Sequence, residues 1–204
     1  MIAIVNYGMG NLHSVAKALA HVGAKATITD EPKVIERADK VILPGVGAMP
    51  AAMEEMAKRR LIRPVCEAIA RGVPYLGICL GLQLLFEYGE EGEGAYGLGI
   101  VCGRVKKFPA RARSRTLKIP HMGWNRVAAT NGCPLFKGIP ADSYLYFVHS
   151  YFGEPVERSF VAGRTDYGVT FASMLWAKNV FATQFHPEKS QAVGLRLLKN
   201  FARL

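Results

Sequence analysis

Short apolar runs alternate with segments of helical spacing through the first half of the chain. IAIVN (2–6) reads as a buried strand, and NLHSVAKALAHVG (11–23) follows with Leu12, Val15, Ala16, Leu19 and Ala20 at helical intervals and Gly23 placed to close the helix. KATIT (25–29) and KVILP (40–44) are further strands. A long helical stretch from about Pro50 to Arg71 then leads through Gly72 into VPYLGI. The second half changes character. GIVCGRVKKF, WNRVAA, YLYFVHSYF, FVAGRT, TFASMLWA and VFATQF are strand-like and closely spaced, which predicts an antiparallel extension of the sheet. SQAVGLRLLKNFARL ends the chain, with Val193, Leu197, Phe201 and Leu204 on one helical face behind a Ser190 cap. The expected architecture is one domain over residues 1–204: a three-layer α/β fold whose open, mostly parallel sheet carries helices on both faces. In such sheets ligands bind beyond the carboxyl ends of the strands, so functional residues are sought there.

Composition narrows the classes. Of 204 residues 50% are hydrophobic and 21% charged, the balance of an ordinary soluble protein. The apolar uncharged run over residues 72–86 has 15 residues with Pro74 inside it, too short for a membrane span of about 20 residues. MIAIVNYG lacks the features of a signal peptide. Cysteines at 66, 79, 102 and 133 form no CxxC pair, so reduced thiols, no metal site and a cytoplasmic location are expected. Much of the net charge of +10 lies in residues 103–121, which carry seven Lys or Arg and no acid. No nucleic-acid motif accompanies it, and a solvated basic face is the simpler reading. EYGEEGEG (87–94) is acidic and Gly-rich, expected as a mobile loop. NYGMGNLHS begins a G-x-G-x-x-G pattern but has His13 at the last position, so a dinucleotide site is not expected.

The candidate chemistry centres on Gly77-Ile78-Cys79-Leu80-Gly81, a G-x-C-x-G placed between an apolar strand and a helical segment. It has the form of a nucleophile elbow with sulfur in place of oxygen. A sharp strand-to-helix turn holds the nucleophile in a strained conformation, and the glycines relieve crowding where strand and helix cross. The helix start aims free N–H groups at the sulfur, favouring the thiolate and readying the Leu80 N–H for an oxyanion. Cysteine is also among the most commonly buried residues, the reading given to Cys66, Cys102 and Cys133. A thiol nucleophile needs a base with a fixed tautomer. His13 and His21 fall on the first helix as surface residues. His186 ends a strand and precedes Pro187 and Glu188, so an extended chain would bring residues 186 and 188 to one side. Gly45 and Gly47 in LPGVGA supply a second place where backbone N–H groups can turn inward.

Together GICLGLQLL, PGVG and QFHPEKS resemble the class I, triad-type glutamine amidotransferases. NYGMGNLHSV, PHMGWN (120–125) and YFVHSY (146–151) narrow the resemblance to the glutaminase subunits of imidazole glycerol phosphate synthase. The resemblance implies a cysteine–histidine–glutamate triad: Cys79 forms a glutamyl thioester, His186 is the general acid and base, and Glu188 orients it. It implies that Gly47 and Leu80 form the oxyanion hole, and that Gly47, Gln83, His149, Ser150 and Tyr151 hold glutamine. Asn11, His121, Met122, Trp124, Tyr146 and Lys189 would face the partner and border the route of ammonia. The partner the resemblance implies is a cyclase subunit with a (β/α)8 barrel, forming a heterodimer, and no cofactor, metal, nucleic acid or membrane is expected to be involved. Hydrolysis is expected to be slow until the partner is loaded, with the PGVG loop poorly arranged beforehand. The alternatives are the glutaminase of another synthase, an unrelated cysteine hydrolase, and a non-catalytic α/β binding protein in which Cys79 is only buried.

Overall fold

In the computed structural model, which describes residues 1–112, 115–130 and 132–204, strands and helices alternate as the pattern predicts. The first half runs β1 (Ile2–Val5), α1 (Leu12–His21), β2 (Ala26–Thr29), α2 (Pro32–Glu36), β3 (Lys40–Gly45), α3 (Met49–Lys58), α4 (Ile62–Ala70), β4 (Tyr75–Cys79) and α5 (Leu80–Gln83). Then come β5 (Phe86–Gly89), β6 (Ala95–Tyr96), β7 (Val101–Lys107), β8 (Arg111–Ala112), β9 (Arg115–Thr116) and β10 (His121–Ala129). The chain ends with β11 (Ser143–His149), β12 (Tyr151–Pro155), β13 (Val161–Tyr167), β14 (Val169–Ala177), β15 (Val180–Thr183) and α6 (Gln191–Ala202).

Nine strands form one sheet in the order β11-β10-β13-β14-β15-β4-β3-β1-β2. Pairing is parallel from β2 through β15 and antiparallel from β15 to β11. Side chains alternate through it. Ala3, Val5, Val41, Leu43 and Tyr75 join the core under α2, α3 and α4. Ile2, Ile4, Ile42, Leu76 and Ile78 join the core under α1 and α6. Strands buried on both faces therefore read as continuous apolar runs, and the helices read as amphipathic.

Several boundaries depart from expectation. The long helix over 50–71 is two helices, because Arg60 takes φ 58° and Leu61 N–H bonds the Met56 carbonyl at 2.9 Å, the six-to-one closure of a Schellman end. Leu61 is fully buried there, so packing overrides the poor fit of arginine to a left-handed position. The helix expected after Cys79 is a single turn, α5, which gives way to β5. GIVCGRVKKF does not extend the main sheet. As β7 it enters a four-stranded sheet, β12-β7-β5-β6, while YLYFVHSYF breaks at Ser150 into β11 and β12, one in each sheet. EYGEEGEG is partly strand, and Glu91 accepts a 2.7 Å hydrogen bond from the Met49 N–H at the start of α3. In α6 the buried face is Gly194, Leu197, Leu198 and Phe201, Leu204 lies past the helix end, and Ser190 makes no side-chain cap. The basic stretch spans β7 and the β8–β9 hairpin; its Arg113 and Ser114 lie outside the described residues. Among the described residues no helix is long and apolar enough to cross a membrane, and the four cysteines are free thiols.

Candidate active site

Three neighbouring parallel strands end together. Gly45, the last residue of β3, pairs with Cys79, the last of β4, and Thr183 of β15 pairs with Ile78 on the other side. Cys79 adopts φ 55° and ψ −104°, a positive-φ conformation that costs a non-glycine residue about 1–3 kcal/mol. The surrounding backbone leaves no room to relax. A Cβ on Gly77 would strike the Gly81 carbonyl oxygen, and one on Gly81 would strike the Leu43 carbonyl oxygen. Tyr75 Oη donates to that same Gly81 carbonyl at 3.2 Å. The two glycines are thus required by strand and turn crossing at van der Waals distance. With only four residues, α5 has a weak dipole, so its free first-turn N–H groups, Leu80 among them, are what it offers an anion.

His186 follows β15 in extended conformation, and Pro187–Lys189 forms a 3-10 turn. That turn, rather than an extended run, brings Glu188 Oε1 to 2.8 Å from His186 Nδ1. Both side chains are almost fully buried, at 2% and 1% exposure. The carboxylate makes Nδ1 the donor and leaves Nε2 available for Cys79; Nε2 is buried and makes no hydrogen bond among the described residues. Burial alone would lower the His186 pKa, but the neighbouring Cys79 thiolate, and after it Glu188, carry it up to about 10. The imidazole is thereby disposed to its protonated form.

A cleft of about 380 Å³ opens over Cys79, and Gly47, Leu80, Gln83, His149, Ser150 and Tyr151 all line it with the cysteine. Gly47 takes φ 91°, which suits glycine in the PGVG turn. Gln83 Nε2 donates to the Tyr151 carbonyl at 3.0 Å and to Gln184 Oε1 at 3.2 Å. Ser190, expected as a helix cap, instead fixes the histidine loop: its hydroxyl donates to the His186 carbonyl at 2.6 Å and accepts from Tyr146 N–H at 3.0 Å.

The expected partner-facing group divides in two, because successive residues of β10 point to opposite faces. Met122 and Trp124 are 61% and 46% exposed. Trp124 packs edge-on against Tyr146 at 6.1 Å, and Lys189 Nζ lies 5.8 Å above the Tyr146 ring. Asn11, at the start of α1, is partly exposed at the carboxyl end of β1. His121 is the correction: its ring is buried, stacked 4.1 Å from Tyr167 and 4.8 Å from Phe147, and so does not face outward. Its Nδ1 lies 2.9 Å from His149 Nε2, and His149 Nδ1 lies 2.7 Å from the Tyr151 carbonyl. Burial pushes the pKa of His121 down to about 4 and that of His149 down to about 3, so both rings are neutral at pH 7.

Two residues of the site escaped the sequence reading. Glu91, in the supposed mobile loop, is the one acidic side chain among the described residues that line the cleft. Gln184 is fully buried between Gln83 and Cys79. Its signal was position: it lies two residues before His186, next to the strand that carries the histidine.

The family model of the class-I glutamine amidotransferases matches residues 3–204. The chain belongs to that family. It is 49% identical over 203 residues to the imidazole glycerol phosphate synthase subunit HisH of Syntrophotalea carbinolica, covering 98% of each chain. It is 52% identical over 208 residues to the protein of the same name from Methylococcus capsulatus, covering 99% of this chain and 95% of that one. Among solved structures, that of PurLQS from Thermotoga maritima superposes with a TM-score of 0.72 at 18% identity, over 99% of this chain and 95% of the other, a likeness of fold.

Proposed function

We propose that this amidotransferase hydrolyses glutamine as the ammonia-producing subunit of imidazole glycerol phosphate synthase, in histidine biosynthesis, with Cys79, His186 and Glu188 as its triad. The relatives at about half identity over the full chain support the pathway. The observation that carries the chemistry is the strained Cys79 on the cleft floor beside a histidine whose Nδ1 is held by a buried carboxylate.

Cys79 Sγ attacks the side-chain carbonyl carbon of glutamine, and the carbonyl electron pair moves onto oxygen, where the Leu80 N–H and the Gly47 turn receive it. As the tetrahedral centre collapses, the C–N bond breaks and His186 Nε2–H protonates the leaving nitrogen, giving ammonia and a thioester. Water then attacks the thioester carbon, His186 Nε2 takes its proton, and the second collapse expels the Cys79 thiolate and leaves glutamate. Glu188 keeps Nδ1 protonated throughout. Glu91 matches the ammonium at the amino-acid end of the substrate, and backbone groups of Ser150 and Tyr151 match the remainder. Met122, Trp124, Tyr146 and Lys189 form the face that docks a (β/α)8 cyclase subunit, aromatic anchors being usual at interface centres. The four free thiols suit a cytoplasmic setting.

The test is glutamate release from glutamine by the chain alone, and by the chain with a histidine-pathway cyclase subunit saturated with imidazole glycerol phosphate. Cys79→Ser is run in parallel. Stimulation by the loaded partner, lost in the variant, is expected. Cys79-dependent release without stimulation would move the chain to another synthase, and Cys79-independent release would end the triad reading.

A further inference from the structure

We propose that Gln184 is a positioning residue that ties the nucleophile and the substrate-holding Gln83 into one unit, donating to the Cys79 sulfur while accepting from the Gln83 amide. The inference rests on the triad reading above and adds a residue to it.

The polarity of the contacts is forced from one end. The Tyr151 carbonyl can only accept, so both groups that reach it must donate: His149 Nδ1–H at 2.7 Å and Gln83 Nε2–H at 3.0 Å. The second proton of Gln83 Nε2 then points to Gln184 Oε1 at 3.2 Å. Gln184 Nε2 is left facing Cys79 Sγ at 3.7 Å. Turning the Gln184 amide over would set donor against donor at Gln83 and oxygen against sulfur at Cys79. The residue has no freedom to escape this, being fully buried with its N–H bonded to the Ser173 carbonyl at 2.9 Å. The same logic leaves Gln83 Oε1, an acceptor, for the cleft.

The chemical consequence lies at the sulfur, which has two polar neighbours of opposite preference. The Val148 carbonyl, at 3.8 Å, is an acceptor that only the S–H form satisfies. The Gln184 amide is a donor whose bond strengthens when sulfur becomes anionic, as hydrogen bonds to charged groups do. Gln184 therefore offsets Val148 and favours the thiolate, while holding Gln83 at a fixed distance from the reacting atom. No catalytic histidine or carboxylate is involved, so the effect is separable from the triad.

Gln184→Leu and Gln184→Met each leave an apolar side chain of similar bulk and remove both polar ends. Alkylation of Cys79 by iodoacetamide is followed by mass spectrometry of its peptide at pH 6–10, alongside kcat and KM for glutamine in the partner-loaded complex. Loss of one hydrogen bond to a charged group predicts at least about a tenfold slower alkylation at pH 7 in both variants, converging on wild type toward pH 10. kcat falls and KM rises together, because Gln83 loses its acceptor or its alignment. Thermal melting reports whether each variant folds, and either one decides alone if the other does not fold. Alkylation at pH 7 within twofold of wild type in a folded variant would overturn the inference. A wild-type Cys79 left untouched by iodoacetamide at pH 7 would overturn the nucleophile reading as well.

Discussion

Replacing Glu188 by glutamine removes a charge from the site while leaving its shape. In the structure Oε1 accepts from His186 Nδ1 at 2.8 Å and Oε2 has no hydrogen-bond partner among the described residues. A glutamine therefore places its oxygen against Nδ1 and its NH2 where Oε2 stood, preserving the ring orientation. What is lost is the attraction between carboxylate and imidazolium. With charge centres about 4 Å apart and an effective dielectric near 20, that attraction is about 4 kcal/mol. The amide oxygen retains about 1–2 kcal/mol as a hydrogen-bond acceptor. The remaining loss of about 2–3 kcal/mol falls on the steps in which His186 is charged, a reduction of kcat by about 30- to 150-fold. KM should stay near wild type, because Glu188 does not line the cleft. The pH profile gives an independent reading. The wild-type imidazolium persists toward pH 10; without the carboxylate the His186 pKa falls, so the alkaline limb of kcat moves to lower pH. Glutamate release in the partner-loaded complex measures both. A variant with more than a third of wild-type kcat and an unmoved alkaline limb would refute the orienting role of Glu188.

Acid should destabilise the fold through its buried neutral histidines. The folded pKa of His149, about 3, is depressed below the unfolded value near 6.5, so the unfolded chain takes up the proton first. The contribution is complete above pH 6.5 and is lost as pH falls toward 3, at about 1.4 kcal/mol per pH unit for this residue alone. Urea unfolding from pH 7 to pH 4.5 should show this slope, and His149→Asn should flatten it. At the elbow, Gly81→Ala forces Cβ into the Leu43 carbonyl and should cost about 3 kcal/mol or more, whereas Gly72→Ala, with φ 84° and open space around it, should cost only about 1–2 kcal/mol. Equal urea midpoints for the two variants would contradict the crossing geometry.

The parallel half of the sheet was legible because β1, β3 and β4 are buried on both faces and show as unbroken apolar runs. The elbow was legible because two glycines bracket one cysteine at a strand end. Helix ends were harder to place. The stop at Arg60 carries no glycine or asparagine, and what fixes it is burial of Leu61, a long-range effect. The division of β-strands between two sheets depends on a break at Ser150 that no local residue announces. His121 shows where a family resemblance and side-chain alternation disagree: a motif expected to face the partner includes residues that cannot all do so, since every second one on β10 points inward. Gln184 and Glu91 share a different difficulty. Their partners, Cys79 and Met49, are 105 and 42 positions away, and no spacing rule links them.

The placement of β15 has a consequence for how the protein is made. This strand lies between β4 and β14 in the middle of the nine-stranded sheet, yet it is synthesised after all eight of the others. Until residues 180–183 are available, β4 and β14 are both open edges, Cys79 has been synthesised, and His186 has not. Insertion of this one strand joins the parallel and antiparallel halves and delivers His186 beside Cys79 in the same event. Assembly must wait for contacts distant in sequence, which slows folding and leaves two apolar edges exposed in the nascent chain. The benefit is temporal: if the proposed triad operates, a chain interrupted before β15 has a thiol with no base beside it and is expected to release no ammonia.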